Sequence, residues 1–388
     1  MDKSIIRKSG RQYFLDNLKV FLTMLVIVHH VGQAYGPTGG FWQYKSSLHE
    51  NIPFLGSFFA VNAAFFMGLF FIVSGYFFPG SYDRKGGARF LNDKLVRLGI
   101  PLLFALFIMS PLEMYFYYAN YSGNRPLGFL QYFIQIYMGI GDKPAWFIDK
   151  IGWPEINLGH LWFVEHLLVY SVLYAAFRKV FSKYKISNDG RTFGLFHILS
   201  IASLIAWISA VVRIWFPIDR WIGILGFIQS EVAHLPQYAI LFAVGIIAYR
   251  KNWFTSISKN TGFSLLAVGG IMALAVYSHA LIPGLGKAIF SEWTFYESVM
   301  AVCLCWGLLV LFREKLNYST PLLGFLAENS YGAYIFHFPI VLTIQYGLDK
   351  VNFFGAWGKF LLVSLLSVAI AYIVSWAVRK ITIVRKII

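Results

Sequence analysis

Charge, cysteine and polar linker are all scarce in this chain. Only 13% of its 388 residues are Asp, Glu, Lys or Arg, about half the share of an ordinary soluble domain. With 58% hydrophobic residues and a mean hydropathy of +0.61, that scarcity excludes a water-soluble globular fold. Acids are rarer still, 18 against 33 basic residues, which leaves a formal net charge of +15. The two cysteines, Cys303 and Cys305, stand two apart on one predicted helix and face about 200° away from each other. That spacing excludes a disulfide framework and reads as core packing. No low-complexity linker, repeat or polar tail interrupts the pattern, so the expectation is one α-helical domain over 1–388 with no appended soluble domain.

What the chain has in abundance is apolar runs of bilayer length. A span needs about 20 mainly apolar residues, and ten are read: 14–36, 54–78, 98–119, 160–177, 193–212, 234–249, 262–281, 294–312, 322–346 and 357–378. The fold class is therefore an all-α polytopic membrane protein. Basic residues concentrate in cytoplasmic loops. With the N-terminus inside, the cytoplasmic segments hold 23 of the 33, which predicts that both termini are cytoplasmic. The net charge is then topology and contact with anionic membrane lipid, not nucleic-acid binding. The first run has a basic flank like a signal peptide, but it is too long, contains His29 and His30, and lacks a small-residue cleavage site; it is read as a retained helix. The longest non-spanning stretch, 120–159, lies outside, and its apolar patch Leu127 to Ile140 reads as an interfacial or re-entrant helix.

Ionisable side chains inside a span are costly and are therefore functional candidates. His30 sits in the first run, and Lys19 lies eleven residues earlier on nearly the same helix face, about 16 Å lower along the axis. His29 is rotated by roughly 100° from His30, so only one of the two easily shares that stripe. In the inner segment RKGGARFLNDKLVRLGIP, Arg89 and Arg97 are candidates for phosphate binding, Arg being suited to bidentate contacts; a plain positive-inside loop is the other reading. Span two ends in FFIVSGYF. Ser74 and Tyr76 there are donor-side candidates, and Gly75 either packs helices closely or admits a ligand to the backbone. His160 and Trp162 in GHLWF open span four at the outer surface. Glu297, near the outer end of span eight, needs a partner or water. His337 lies 15 residues into span nine and His30 is 16 into span one, so the two share a depth. His166 and His197 read as structural.

Taken in order, FLDNLKVFLTMLVIVHH, FFIVSGYF, RFLNDKLVRLGIPLLF, GHLWF, QYAILFAVGIIAYR and SYGAYIFHFP resemble the acyltransferase-3 family of bacterial membrane proteins. The resemblance covers nearly the whole chain. The family's hallmark is an arginine, ten intervening residues and a histidine in the first span; here Lys19 stands in the arginine position and His30 is the histidine. The substitution keeps the charge and loses bidentate geometry.

The resemblance implies a bacterial cytoplasmic-membrane enzyme that takes an acetyl or succinyl group from cytoplasmic acyl-coenzyme A and delivers it to a hydroxyl on an outer-face glycan or other acceptor. No permanently bound cofactor and no metal is expected, acyl-coenzyme A being a co-substrate. It is similar to the stand-alone members, which include glucan succinyltransferases and polysaccharide O-acylases. On this reading Lys19, Ser74, Tyr76, Arg89 and Arg97 hold the donor, His30 is the general base, Glu297 orients a base, His337 serves the oxyanion or the proton, and His160 and Trp162 meet the acceptor. Transient acyl transfer to the His30 ring is a variant. The competing class is a proton-coupled transporter or flippase, for which buried His, Glu and Lys would also serve.

Overall fold

Away from water an apolar run satisfies its own backbone polar groups only by coiling, and ten long helices carry the fold among the described residues. The structure, a computed structural model, describes residues 11–37, 43–44, 46, 51–121, 127–140, 158–181, 193–225, 227–351 and 355–388. The helices are α1 (Tyr13–Gly32), α2 (Phe54–Lys85), α3 (Gly87–Ala119), α4 (Trp162–Val180), α5 (Leu195–Arg213), α6 (Leu235–Lys251), α7 (Lys259–Ser278), α8 (Trp293–Lys315), α9 (Pro321–Gly347) and α10 (Gly355–Val378). Each coincides with one expected span. Eight are long and apolar enough to cross a membrane; α6 has only 17 residues, and α9 carries Glu328, Asn329 and His337 along its 27.

The surface is apolar where lipid would lie, with Leu103, Phe107, Trp207, Leu274 and Leu365 exposed on α3, α5, α7 and α10. Polar side chains turn inward instead and bond neighbouring backbones, as Gln237 does to Ala64 O at 2.6 Å and Gln345 to Val31 O at 3.1 Å. Without water, such bonds and close backbone contact hold the helices together. The closest approach joins α2 to α6. A Cβ on Gly75 would lie 2.2 Å from Phe242 O, and one on Gly245 would lie 2.1 Å from Ile72 O. Gly75 is thus a packing glycine, and no ligand reaches its backbone.

The ends of the helices agree with the charge alternation. Asp83, at the end of α2, pairs with Arg178 at the end of α4 and Arg250 at the end of α6. Asn17, at the start of α1, donates to Leu316 O and Tyr318 O just beyond α8. The expected inner loop between spans two and three is a tight corner. Helix α2 runs on to Lys85, Gly86 turns at φ +77°, and α3 begins at once. Two π turns, Leu95–Gly99 and Ala105–Met109, interrupt α3.

Outside the bundle, the patch Leu127 to Ile140 forms a short helix, Phe129–Gln131, continued by a π turn, Tyr132–Tyr137. It packs on the end of α3, with Tyr137 donating to Leu106 O and Tyr115 to Leu127 O. An antiparallel hairpin, β1 (Trp221–Ile224) and β2 (Ile228–Glu231), joins α5 to α6 and was not foreseen. Its Gln229 N–H donates to Glu165 and its Gln229 O accepts from His166, which staples it to α4. Cys303 and Cys305 are buried and free.

Candidate active site

Three histidines from three helices meet inside the bundle. His30 on α1, His337 on α9 and His160 in the 3-10 turn that leads into α4 have ring centroids 4.7 to 6.4 Å apart. His337 is completely buried, and His160 is 5% exposed. Phe338 closes the group, stacked on His160 at 5.0 Å and edge-on to His30 at 5.5 Å. His29 faces the other way, among Phe58, Phe59 and Phe66, so His30 is the histidine of the stripe.

Backbone carbonyls orient each ring. A carbonyl oxygen only accepts, so the ring nitrogen facing it carries hydrogen. His337 Nδ1 lies 2.7 Å from Tyr334 O, His160 Nε2 lies 2.9 Å from Ile335 O, and His30 Nδ1 lies 2.9 Å from Val26 O. In neutral rings the lone pairs then fall on His337 Nε2, His160 Nδ1 and His30 Nε2. His337 Nε2, 3.2 Å from His30 Nδ1, accepts a second branch of that N–H. With this tautomer His337 has no N–H left for an oxyanion, and its Nε2 lone pair faces His30.

The carboxylate beside this group is Glu113 of α3. Its Oε1 lies 4.0 Å from His160 Nδ1, both side chains are almost wholly buried, and neither atom has a hydrogen-bond partner among the described residues. Gly159, at φ +53°, admits it: a Cβ there would lie 3.1 Å from Glu113 Oε2. Sequence reasoning missed Glu113, although it is the only acid in the third expected span and the rule that singled out Glu297 applies to it equally.

Glu297 has other partners. One oxygen accepts from Arg213 Nη2 at 2.7 Å and the other faces His234 Nε2 at 2.8 Å, while His234 Nδ1 faces Glu231 of the hairpin at 2.8 Å. Both oxygens are engaged away from the three-histidine group, so the base that Glu297 holds is His234, not His30. The network ties α5, α6 and α8 to the hairpin. Burial acts to raise the Glu231 carboxyl, but the adjoining His234 ring holds it below its ordinary value.

Toward the end of the same bundle where α1 begins, a cavity of about 390 Å³ opens between α1, α3, α9 and the segment after α10. Five cations line it, Lys19, Arg97, Arg379, Arg385 and Lys386, against one acid, Glu328. Tyr331, also in the lining, donates to Arg97 O at 2.6 Å and fixes the first π turn of α3 to α9. Lys19 is partnered by Asp16 at 2.9 Å and Arg379 by Asn329 at 3.2 Å.

The other expected donor residues lie elsewhere. Arg89 points to solvent because its neighbour Phe90 turns inward against Phe78 and Tyr174, so Arg89 and Arg97 do not act on one site. Ser74 is half-buried outside the cavity. Tyr76 is locked in the core, stacked on Phe254 at 4.2 Å with its hydroxyl bonded to Gln12. Trp162 parts from His160 and packs on Trp221 of the hairpin and Tyr238 of α6. Among the described residues, no group of three or more His, Cys, Asp or Glu is disposed to hold a metal ion.

A family model described as an acyltransferase domain, Acyl_transf_3, matches residues 12–376. No curated protein and no solved structure matches the chain.

Proposed function

The chain belongs to the acyltransferase-3 family, a membrane acyltransferase, and from that premise we propose that it moves an acetyl or succinyl group from cytoplasmic acyl-coenzyme A to a hydroxyl of an extracytoplasmic glycan or similar acceptor in a bacterial cytoplasmic membrane. One observation carries this reading. Helices α1 and α9 each line the basic cavity with one residue and enter the histidine cluster with a later one, Lys19 then His30 on α1 and Tyr331 then His337 on α9. At 1.5 Å per residue the two intervals are about 16 and 9 Å along the helices. A donor with phosphates at one end and a thioester on a flexible arm at the other matches that polarity.

Lys19 and Arg97 hold the donor phosphates as charge-assisted partners. His30 Nε2 removes the proton from the acceptor hydroxyl as its oxygen attacks the thioester carbonyl. The carbon–sulfur bond breaks as the ester forms, and the imidazolium returns the proton to the leaving thiolate. His337 Nε2 and Val26 O hold His30 Nδ1–H, so the lone pair stays on Nε2. The apolar wall of Phe338 keeps water from the thioester. Hydroxyl acylation by this route needs a base and a positioned donor, with no redox step.

The test is binding and turnover of a panel of acyl-coenzyme A thioesters by detergent-purified protein, wild type against His30→Ala and Arg97→Ala. The expected result is that one thioester binds, Arg97→Ala weakens binding, and His30→Ala abolishes turnover with binding retained. If folded wild-type protein binds no thioester, the donor reading falls, and proton-coupled transport becomes the class to pursue.

A further inference from the structure

Three of the five cations in the cavity follow residue 376, where the family match ends. Helix α10 stops at Val378, the backbone extends at Ile381 (φ −74°, ψ 116°), and a single helical turn, Thr382–Arg385, brings the chain back beneath α9. The segment is anchored. Val384 and Ile387 pack on the core, Ile388 is buried, and Ile388 lies so near α9 that a Cβ on Gly332 would meet its Cδ1 at 3.2 Å. With the apolar residues turned in, Arg385 and Lys386 line the cavity across from Lys19 and Arg97. Among the described residues the side chains of Arg97, Arg385 and Lys386 make no hydrogen bond or ion pair, although Glu328 lines the same space. Three unpaired cations converging on one cavity repel one another unless an anion sits between them.

We propose that Arg379, Arg385 and Lys386 form the second jaw of the donor site and close on the phosphates of coenzyme A from the side opposite Lys19 and Arg97. This rests on the donor reading above. The lining is cationic in balance: five cations stand against Glu328, and one of the five, Lys19, has Asp16 as its partner. Coenzyme A carries about four negative charges, two on its diphosphate and roughly two on its 3′-phosphate. The same phosphate chemistry is offered by the headgroups of anionic lipid in the inner leaflet, which basic residues after a last span commonly meet.

The experiment separates the two sources. Full-length protein is placed in nanodiscs of neutral phosphatidylcholine and titrated with coenzyme A, as wild type, as Arg385→Ala with Lys386→Ala, as Arg385→Lys with Lys386→Arg, and as Arg89→Ala for a surface control. The expected result is a rise of about 10- to 100-fold in Kd for the double alanine variant, a flatter salt dependence, near-wild-type binding by the charge-keeping pair, and no change in Arg89→Ala. Wild-type binding with an unaltered Kd in the double alanine variant overturns the proposal and leaves the donor reading standing. An effect of the alanines seen only in nanodiscs containing phosphatidylserine overturns it in favour of lipid contact. Failure of the wild type to bind coenzyme A removes the donor reading and this proposal together.

Discussion

Glu297 offers a clean contrast between a structural and a catalytic carboxylate. In Glu297→Gln one oxygen remains, but the new amide brings N–H groups against either Arg213 or His234, which both present donors to the site. Arg213 is 11% exposed at its side chain and His234 4%, so neither can turn to water for compensation. Breaking a buried pair by removing one charge costs about 3–5 kcal/mol. The retained oxygen puts the expected loss near the lower figure, about 3 kcal/mol, or roughly 150-fold in the folded-to-unfolded ratio. Unfolding in mixed micelles, followed by tryptophan fluorescence, should show that loss, while acyl transfer per folded molecule stays within about twofold of wild type. The opposite outcome, wild-type stability with transfer reduced 100-fold or more, would refute the argument and return Glu297 to the reacting centre.

Glu113→Gln should do the reverse. Replacing the Glu113 carboxyl, 4.0 Å from His160 Nδ1, with an amide is expected to lower kcat by about tenfold, about 1.4 kcal/mol of barrier, with KM for the donor unchanged; equal effects on kcat and on melting would mark it as structural. Gly75→Ala forces a methyl against Phe242 O, an overpacking expected to cost about 1–3 kcal/mol, and thermal unfolding of the variant beside a surface alanine control checks it. The lowered Glu231 carboxyl adds stability that is complete above the unfolded value of about 4.3 and is lost as pH falls through its lower folded value. Emission from Trp221, on the same hairpin, should therefore change in an acid step below about pH 4, and Glu231→Gln should abolish the step; a step that persists in Glu231→Gln would assign it to another group.

The ten long helices, eight of them long and apolar enough to cross a membrane, were legible because they follow from period and length, which one sequence carries in full. His30 and His337 were legible for a related reason, whereas His160, read as an acceptor-side residue at the outer surface, joins them through the 3-10 turn before α4. Depth along a helix can be counted, so residues from separate spans can be placed at one level without any knowledge of which helices touch. Which helices touch is the part that counting leaves out. Glu297 sits at an outer helix end like His160, yet the hairpin and α5 claim it; the hairpin's ladder depends on pairing Trp221 with Glu231 across a turn, a contact no periodicity announces. Arg89 failed for the same reason in smaller compass. A basic residue eight positions from Arg97 looks equivalent on paper, but Phe90 settles which face of α3 enters the bundle, and Arg89 follows its neighbour's opposite direction to solvent.

The pairing of α1 with α9 gives the two groups their meaning together. A histidine cluster alone is compatible with proton transfer of many kinds, and a basic cavity alone is compatible with anionic lipid. Lys19 and His30 ride one rigid helix, and Tyr331 and His337 another, and these two helices pack against each other. The separation between phosphate and base is thus set by helical rise, the least deformable length in the molecule. A single-residue insertion between Lys19 and His30 would rotate the base by about 100° and raise it by about 1.5 Å. It should leave coenzyme A binding intact while abolishing transfer, a combination that neither a lipid site nor a channel for protons would produce.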